Sequence, residues 1–191
     1  MGDINPMNIL VTPNSDTFFV DTDSYQVEQY PCPVGQVNFT APEIQGKNFK
    51  TFLRTVENEN FAIATLLFMI LLPGKPPYSH QGGTSPSANI KKRKFTYPFS
   101  YIDEKGNSVR DFNYEAPVGP WRLIWSNFPH FVQKAFYNTF KKGKRYTAHE
   151  WLDMMKNFKW YLGKKFTSNE IFPTEFKKVN DSTKQKYKKG D

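Results

Sequence analysis

Short apolar runs near the start of the chain alternate with turn residues and predict a hairpin. Residues 8–11 (NILV) and 17–23 (TFFVDTD) are strand-like segments, separated by a turn of Pro, Asn and Ser at residues 12–16. The segment that follows, residues 30–46, contains three prolines, which are too closely spaced for regular structure. The pattern therefore predicts a small β-hairpin followed by a long irregular loop.

The later part of the chain carries a helical pattern of apolar residues. Residues 59–72 are apolar on nearly every face and are ended by a Pro-Gly pair, so we expect a central buried helix there. Thr147, followed three residues later by Glu150, predicts the start of another helix. The predicted shorter helices cover 121–127, 129–140 and 148–158.

The predicted helices are separated by polar segments. Residues 79–99 form a polar stretch, and residues 103–113 form an acidic and polar insert with a Lys-Gly-Asn turn at 105–107. We expect this insert to be a surface hairpin or loop. The fold class predicted from the whole pattern is mainly α-helical with a small β-hairpin.

Composition indicates a folded protein in a reducing compartment. The chain has 191 residues, of which 38% are hydrophobic and 17% aromatic, and the aromatic fraction argues against disorder. The single cysteine, Cys32, excludes an intrachain disulfide. The longest apolar run, residues 61–72, is shorter than the about 20 residues that a bilayer requires. We expect a cytoplasmic protein without a membrane partner.

The positive charge is concentrated at the end of the chain. The formal net charge is +8, and residues 156–191 carry ten Lys against four acids, so this segment accounts for +6. Such a segment suits either a solvated terminus or an anionic partner. It lacks the repeated aromatic residues on which single-strand binders stack bases, so we expect no nucleic-acid partner. We assign residues 1–158 to one domain and residues 159–191 to a Lys-rich tail.

Several motifs occur in a characteristic order before this tail. Asp3 is followed five positions later by Asn8, and Asp21 ends an apolar strand. Ala41, Pro42 and Glu43 follow, and Arg145 precedes the last predicted helix. Over about residues 2–158, this order and spacing resemble the C-terminal lobe of eukaryotic-type serine/threonine protein kinases, in a bacterial-like variant, with the chain starting inside the catalytic loop.

The resemblance implies phosphoryl transfer from magnesium ATP to a protein hydroxyl. It implies that Asp3 is the catalytic base, that Asn5 beside it is a second catalytic-site residue, and that Asn8 and Asp21 are magnesium ligands. Asn and Asp supply the hard oxygen ligands that magnesium prefers. Considered without the other motifs, Asp3 and Asn8 equally suit an N-terminal turn closed by an Asx cap.

Other residues are assigned structural roles by the same resemblance. Gln36, Ala41, Pro42 and Glu43 belong to the activation loop, and Glu43 is expected to form a buried ion pair with Arg145 that anchors this loop. If the pair is buried, loss of one partner would cost about 3–5 kcal/mol. Glu59 is expected to support the backbone of the catalytic loop.

Three positions depart from the family pattern. Asn5 stands where serine/threonine kinases have Lys, and Gln36 stands where they usually have Thr, so a hydrogen-bonding pair is kept but a positive charge is lost. The expected Asp-Phe-Gly is Asp21, Thr22 and Asp23. Asp23 suits either a metal or a turn cap with Ser24.

The N-terminal lobe of the family has no counterpart in these 191 residues. No Gly-rich phosphate loop follows a strand, so we expect either a fragment of a larger kinase-like protein or one chain of a split enzyme. The partners expected are the N-terminal lobe, in cis or in trans, and a protein substrate. The isolated chain is predicted to be inactive, and a non-catalytic pseudokinase-like scaffold is the alternative function.

Two further features leave alternatives open. Cys32 suits either a redox-sensing thiol or a small loop residue. The run of Lys and Arg at residues 91–94 suits either an acidic substrate or partner, or a solvated surface without a specific role.

Overall fold

The computed structural model describes residues 2–82, 84–112 and 115–177. It is mainly helical with two small antiparallel sheets, which confirms the predicted fold class in its coarse form. No helix in these residues is long and apolar enough to cross a membrane. The helices are α1 (Val56–Leu71), α2 (Pro86–Lys91), α3 (Trp121–Asn127), α4 (His130–Tyr137) and α5 (Ala148–Gly163).

The predicted hairpin near the start of the chain is formed by β1 (Ile9–Val11) and β2 (Thr17–Phe19). Ile9 lies opposite Phe19, and the pairing continues outward because the amide of Val20 donates to the carbonyl of Asn8 at 3.0 Å. The strands are shorter than predicted, since the chain turns into a left-handed conformation at residue 21.

The predicted surface insert is also a hairpin, formed by β3 (Phe99–Ile102) and β4 (Ser108–Asp111). The carboxylate of Asp103 accepts from the amides of Lys105 and Asn107 at 2.9 and 2.7 Å and so closes the turn. These hydrogen bonds hold the pKa of Asp103 below its ordinary value. Residue 113, the predicted end of the insert, lies outside the described residues.

Helix α1 is the central buried helix, as predicted, but it begins at residue 56 rather than 59. Thr55 and Asn58 form a reciprocal capping box at its start, where the amide of Thr55 donates to Oδ1 of Asn58 at 3.0 Å. The residues by which the helix extends beyond the predicted start are Val56, Glu57 and Asn58, two of which are polar. Asn58 and Asn60 are nevertheless buried there.

The core is an aromatic cluster around α1. Phe68 is fully buried in the last turn of that helix, and its ring centroid lies 5.2–6.3 Å from those of five other rings. Such contacts stabilise beyond the area that they bury. The five rings belong to Phe95, Tyr97, Trp125, Phe136 and Phe140.

Helix α5 starts where the sequence predicts, with Thr147 and Glu150 in a capping box. It ends at Gly163, beyond the predicted end at residue 158. The segment after it returns to the end of α3, since the amide of Lys177 donates to Ser126 at 3.4 Å. Residues 178–191 of the predicted tail lie outside the described residues.

Candidate functional site

The segment from Asp3 to Asn8 forms a closed loop. Nδ2 of Asn8 donates to the carbonyl of Asp3 at 3.0 Å and to its Oδ2 at 3.2 Å. Oδ1 of Asn5 accepts from the amide of Met7 at 2.9 Å and caps the short 3₁₀ turn Pro6–Asn8. The Asx cap in this loop is therefore made by Asn5, which leaves the side chains of Asp3 and Asn8 bonded to each other.

The carboxylate of Asp3 has one satisfied oxygen and one unsatisfied oxygen. Oδ2 accepts from Asn8, whereas Oδ1 is buried and has no hydrogen-bond partner among the described residues. Asp3 lines a cleft between this loop, the predicted activation loop in residues 30–46, and the start of α1. Because a buried carboxylate oxygen without a donor is costly, a ligand hydroxyl in the cleft would satisfy it.

The structure places Asn5 and Gln36 in contact. Nε2 of Gln36 donates to Oδ1 of Asn5 at 3.1 Å, so the loop is joined to the activation loop. Asn5 is only 1% exposed, and its Nδ2 donates to the carbonyl of Asp3 at 3.1 Å. Both polar atoms of this amide are thus used within the protein.

Asn8 and Asp21 stand at neighbouring positions at the open end of the first hairpin. The hydrogen bond from Val20 to Asn8 places Asp21 one residue beyond the last pair. The amide nitrogen of Asn8 is used by Asp3, which leaves its Oδ1 available. Asp21 is exposed, and its carboxylate makes no cap hydrogen bond.

Two oxygen donors are too few to hold a metal ion by protein side chains alone, but they suit a magnesium ion that phosphate and water also coordinate. No group of three or more His, Cys, Asp or Glu side chains in residues 2–82, 84–112 and 115–177 could hold a metal ion. Magnesium is commonly bound by one or two side chains together with phosphate oxygens and water. An Asn and an Asp at the open end of a hairpin match that pattern.

Asp23 lies in the 3₁₀ turn Thr22–Ser24 that follows Asp21. The side-chain hydrogen bond of this turn is made by Ser24, whose hydroxyl donates to the carbonyl of Asp21 at 3.0 Å. Asp23 is exposed and makes no such bond in the part of the chain that the structure describes. The interpretation of Asp23 as a turn cap is therefore wrong.

Glu59 contacts the backbone just before Asp3. The amide of Gly2 donates to Oε2 of Glu59 at 2.8 Å, which ties the loop to α1. The ring of Tyr25 is close enough that Glu59 adds to the effect of burial in raising the pKa of its phenol. Cys32 packs directly against Gly2 and is buried, which leaves its thiol inaccessible to an oxidant in this conformation.

Glu43 and Arg145 form an ion pair across 102 residues of sequence, with Nη2 of Arg145 lying 3.0 Å from Oε2 of Glu43. Nδ2 of Asn58 donates to the other carboxylate oxygen at 2.8 Å. The Arg145 side chain is 11% exposed and that of Glu43 is 45% exposed, so the pair is buried on one side only. Ala41 is fully buried, and Pro42 begins a short 3₁₀ turn beneath the pair.

Sequence reasoning missed two residues that hold the activation loop. The side chain of Gln26 makes two hydrogen bonds to the backbone of Arg54, at 2.7 and 3.0 Å. The guanidinium of Arg54 lies 4.4 Å from the ring centroid of Phe49 and also bonds the carbonyl of Val34. No motif marks Gln26 or Arg54, because their contact depends on the folded path of the loop.

The chain is similar in sequence to a protein kinase of Escherichia coli. It is 29% identical over 169 residues to protein kinase YegI of strain K12, across 86% of this chain and 26% of YegI. For YegI of strain O157:H7 the identity is 29% over 164 residues, across 82% of this chain and 25% of the relative. No protein-family model matches.

The chain thus spans about a quarter of the length of the curated relatives that it matches. The similarity supports a kinase-like relationship, as the sequence motifs predict.

Proposed function

We propose that residues 2–158 form the C-terminal-lobe side of a protein-kinase-like site that transfers phosphate from magnesium ATP to a protein hydroxyl. The observation that carries the proposal is the carboxylate of Asp3, fixed by Asn8 through Oδ2 and unsatisfied at the buried Oδ1. The similarity to YegI supports the same class of reaction.

Asp3 would act as the base. An acceptor hydroxyl bound at Oδ1 would be oriented toward the phosphate and would lose its proton to the carboxylate during transfer. The hydrogen bond from Asn8 and the bond from Gly2 to Glu59 hold the loop in place. Such positioning is the main contribution that a protein makes to this reaction.

Asn8 and Asp21 would hold magnesium through Oδ1 and the carboxylate, respectively. Bound magnesium supplies charge neutralisation at the phosphate oxygens. Asn8 connects the two functions, because its nitrogen fixes the base while its oxygen is left for the metal. Asp23, exposed one turn further on, is not required in this arrangement.

The activation loop would present the acceptor segment of the substrate. Gln36 joins the loop to Asn5, and the Glu43–Arg145 pair fixes its far end against α1 and the start of α5. The nucleotide-binding site would be completed by an N-terminal lobe, in the same chain or in another. We therefore expect the 191 residues alone to transfer phosphate poorly.

The test supplies the second lobe. The chain is fused behind an N-terminal kinase lobe that carries a Gly-rich loop and the strand lysine, and phosphate transfer to a protein mixture is measured with labelled ATP. Asp3→Asn and Asp21→Ala should each reduce transfer by about 10²-fold or more. Asp23→Ala is the matched control and should leave transfer within about threefold, because no metal ligand is lost. Equal activity in all four proteins would refute the proposal.

A non-catalytic scaffold is the second candidate, and one observation favours it. Asn5 replaces a cation next to the base, and both polar atoms of its buried amide are used inside the protein, so it cannot compensate the lost charge at the phosphate. The fused protein separates the two functions. Failure to bind nucleotide, measured by calorimetry with magnesium ATP, would favour the scaffold.

A further inference from the structure

Two basic runs that are far apart in sequence meet on one surface. Residues 91–94 (KKRK) end α2 and continue into the turn after it, and residues 141–145 (KKGKR) lead from the turn after α4 toward α5. The guanidinium of Arg93 donates to the carbonyl of Lys142 at 3.3 Å and so joins the two runs. The basic run at residues 91–94, which is isolated in the sequence, is therefore one half of a larger basic surface.

Gly143 makes this junction possible. A Cβ at residue 143 would lie 1.9 Å from Nη1 of Arg93, so any side chain there would displace the guanidinium. Gly143 also has a φ of 83°, which favours glycine. Arg93 itself takes a left-handed φ of 48°, which turns the chain after α2 at this point. The two runs are thus brought together by specific backbone geometry.

The residues of the two runs differ in whether they have an acidic partner. Three of the cations are paired with carboxylates: Lys94 with Glu115, Lys141 with Asp111, and Arg145 with Glu43. The other five have no carboxylate oxygen within 4.0 Å in the described parts of the chain, and we call them the basic patch. They are Lys91, Lys92, Arg93, Lys142 and Lys144.

The basic patch adjoins the loop that would present the substrate. Helix α2 packs against the 3₁₀ turn Pro42–Ile44. Nζ of Lys91 lies 3.5 Å from the position that a Cβ of Gly46 would occupy, just after that turn. A segment of polypeptide bound at the activation loop could therefore continue directly onto the patch.

We propose that the basic patch docks an acidic segment of the protein substrate. This inference rests on the proposed function, since it assumes that the neighbouring loop binds a polypeptide. Five cations that lie outside the salt bridges of the described residues attract a chain of Glu and Asp side chains, and the attraction weakens as salt is added. Nucleic acid is less well matched: Lys144 and Lys142 lie over Tyr146 and Tyr101, both partly buried, so the rings offer little open face to stacked bases.

The test measures binding without phosphate transfer. A fluorescein-labelled peptide rich in Glu and Asp is titrated with the 191-residue chain at low salt, and anisotropy is recorded. The triple variant Lys91→Glu, Lys92→Glu and Lys142→Glu should bind the peptide at least about tenfold more weakly. The matched control reverses the same number of exposed lysines on and after α5, at residues 159, 164 and 165, and should change affinity by less than about twofold.

Two further proteins make the result specific. Gly143→Ala keeps every charge but displaces Arg93, so it should also weaken the peptide complex while far-ultraviolet circular dichroism stays unchanged. Asp3→Asn should bind the peptide as tightly as the wild type does. Peptide binding can therefore be judged separately from the proposed phosphate transfer, which this variant should lose. If the patch variant and the α5 control weaken binding equally, the attraction is nonspecific and the proposal is wrong. It is also wrong if a single-stranded oligonucleotide of matched charge binds more tightly than the peptide.

Discussion

Asn5 stabilises the loop of Asp3 without supplying the positive charge that a lysine would bring to this position. Its amide caps the 3₁₀ turn and joins Gln36 to the loop of Asp3, which are functions that a neutral side chain can perform. A lysine at this position would provide donors only and no acceptor for Met7 or Gln36. The loop is thus stabilised by an amide at the position where the serine/threonine kinases that this sequence resembles have a lysine.

The Glu43–Arg145 pair gives a prediction at the scale of single residues. Glu43→Ala should lower the free energy of unfolding by about 1–3 kcal/mol, because the Arg145 side chain is mostly buried and would lose its carboxylate. The cost stays below that of a fully buried pair because Glu43 itself is half exposed. Urea denaturation followed by tryptophan fluorescence measures the difference.

The control for this prediction is the ion pair of Lys94 and Glu115. Its nitrogen and oxygen lie 3.1 Å apart, but the two side chains are 35% and 47% exposed. Glu115→Ala should therefore cost less than about 1 kcal/mol. Equal costs for the two variants would show that burial of Arg145 does not strengthen the first pair.

The helices differ in how well the sequence predicts them, and their caps explain why. The sequence predicts the first residue of α5 correctly, because Thr147 and Glu150 follow the usual capping-box pattern. Helix α1 has Asn58 in place of that Glu, so its start was placed three residues late. Helix α2 was missed because its six residues are too few to show a helical period of apolar positions, although Ser85 and the proline after it are a helix-start signal.

The capping box of α5 predicts a dependence of stability on pH. The hydrogen bonds from Thr147 hold the pKa of Glu150 below its ordinary value of 4.5. The stabilisation is therefore fully present above the unfolded-state pKa of about 4.5 and is lost as the pH falls through the lower folded-state pKa. Glu150→Gln keeps an acceptor for Thr147 but cannot be protonated, so its own stability should change less over this range.

The measurement is the free energy of unfolding of wild type and Glu150→Gln from pH 7 down through the acid range. The wild type should be the more stable at neutral pH, and the difference should shrink to zero once both states of Glu150 are protonated. A difference that is independent of pH would mean that the carboxylate contributes through packing rather than charge. Glu104→Gln, at an exposed position between β3 and β4, is the reference for acid effects that do not involve the cap.

At the scale of the whole molecule, contacts between distant segments were the least predictable where no sequence motif marks the two partners. The spacing of Asp3 and Asn8 could be interpreted from sequence because the two residues share one short loop. The junction of Arg93 with Lys142 could not, since it depends on how the turns after α2 and α4 pack around the core. The aromatic composition predicts a core, but it does not predict which rings contact each other. It also does not predict which buried tyrosine hydroxyls find a hydrogen-bond partner.

Two core tyrosines provide a final prediction, because their hydroxyls are buried in different ways. The hydroxyl of Tyr78 donates to the carbonyl of Phe140 at 3.0 Å, whereas that of Tyr97 has no partner in the described residues. Both side chains are nearly fully buried, and burial raises the pKa of both phenols. Tyr78→Phe should lower the free energy of unfolding by about 1–3 kcal/mol, because it strands a buried acceptor.

Tyr97→Phe should leave the stability unchanged or increase it, because it removes a buried donor that makes no hydrogen bond. The two variants remove the same atom from the same aromatic core, so each controls for the packing change in the other. Urea denaturation at neutral pH gives both values. If Tyr97→Phe is as destabilising as Tyr78→Phe, the hydroxyl of Tyr97 has a hydrogen-bond partner in solution. The aromatic core around Phe68 would then contain a polar contact in addition to the ring contacts described above.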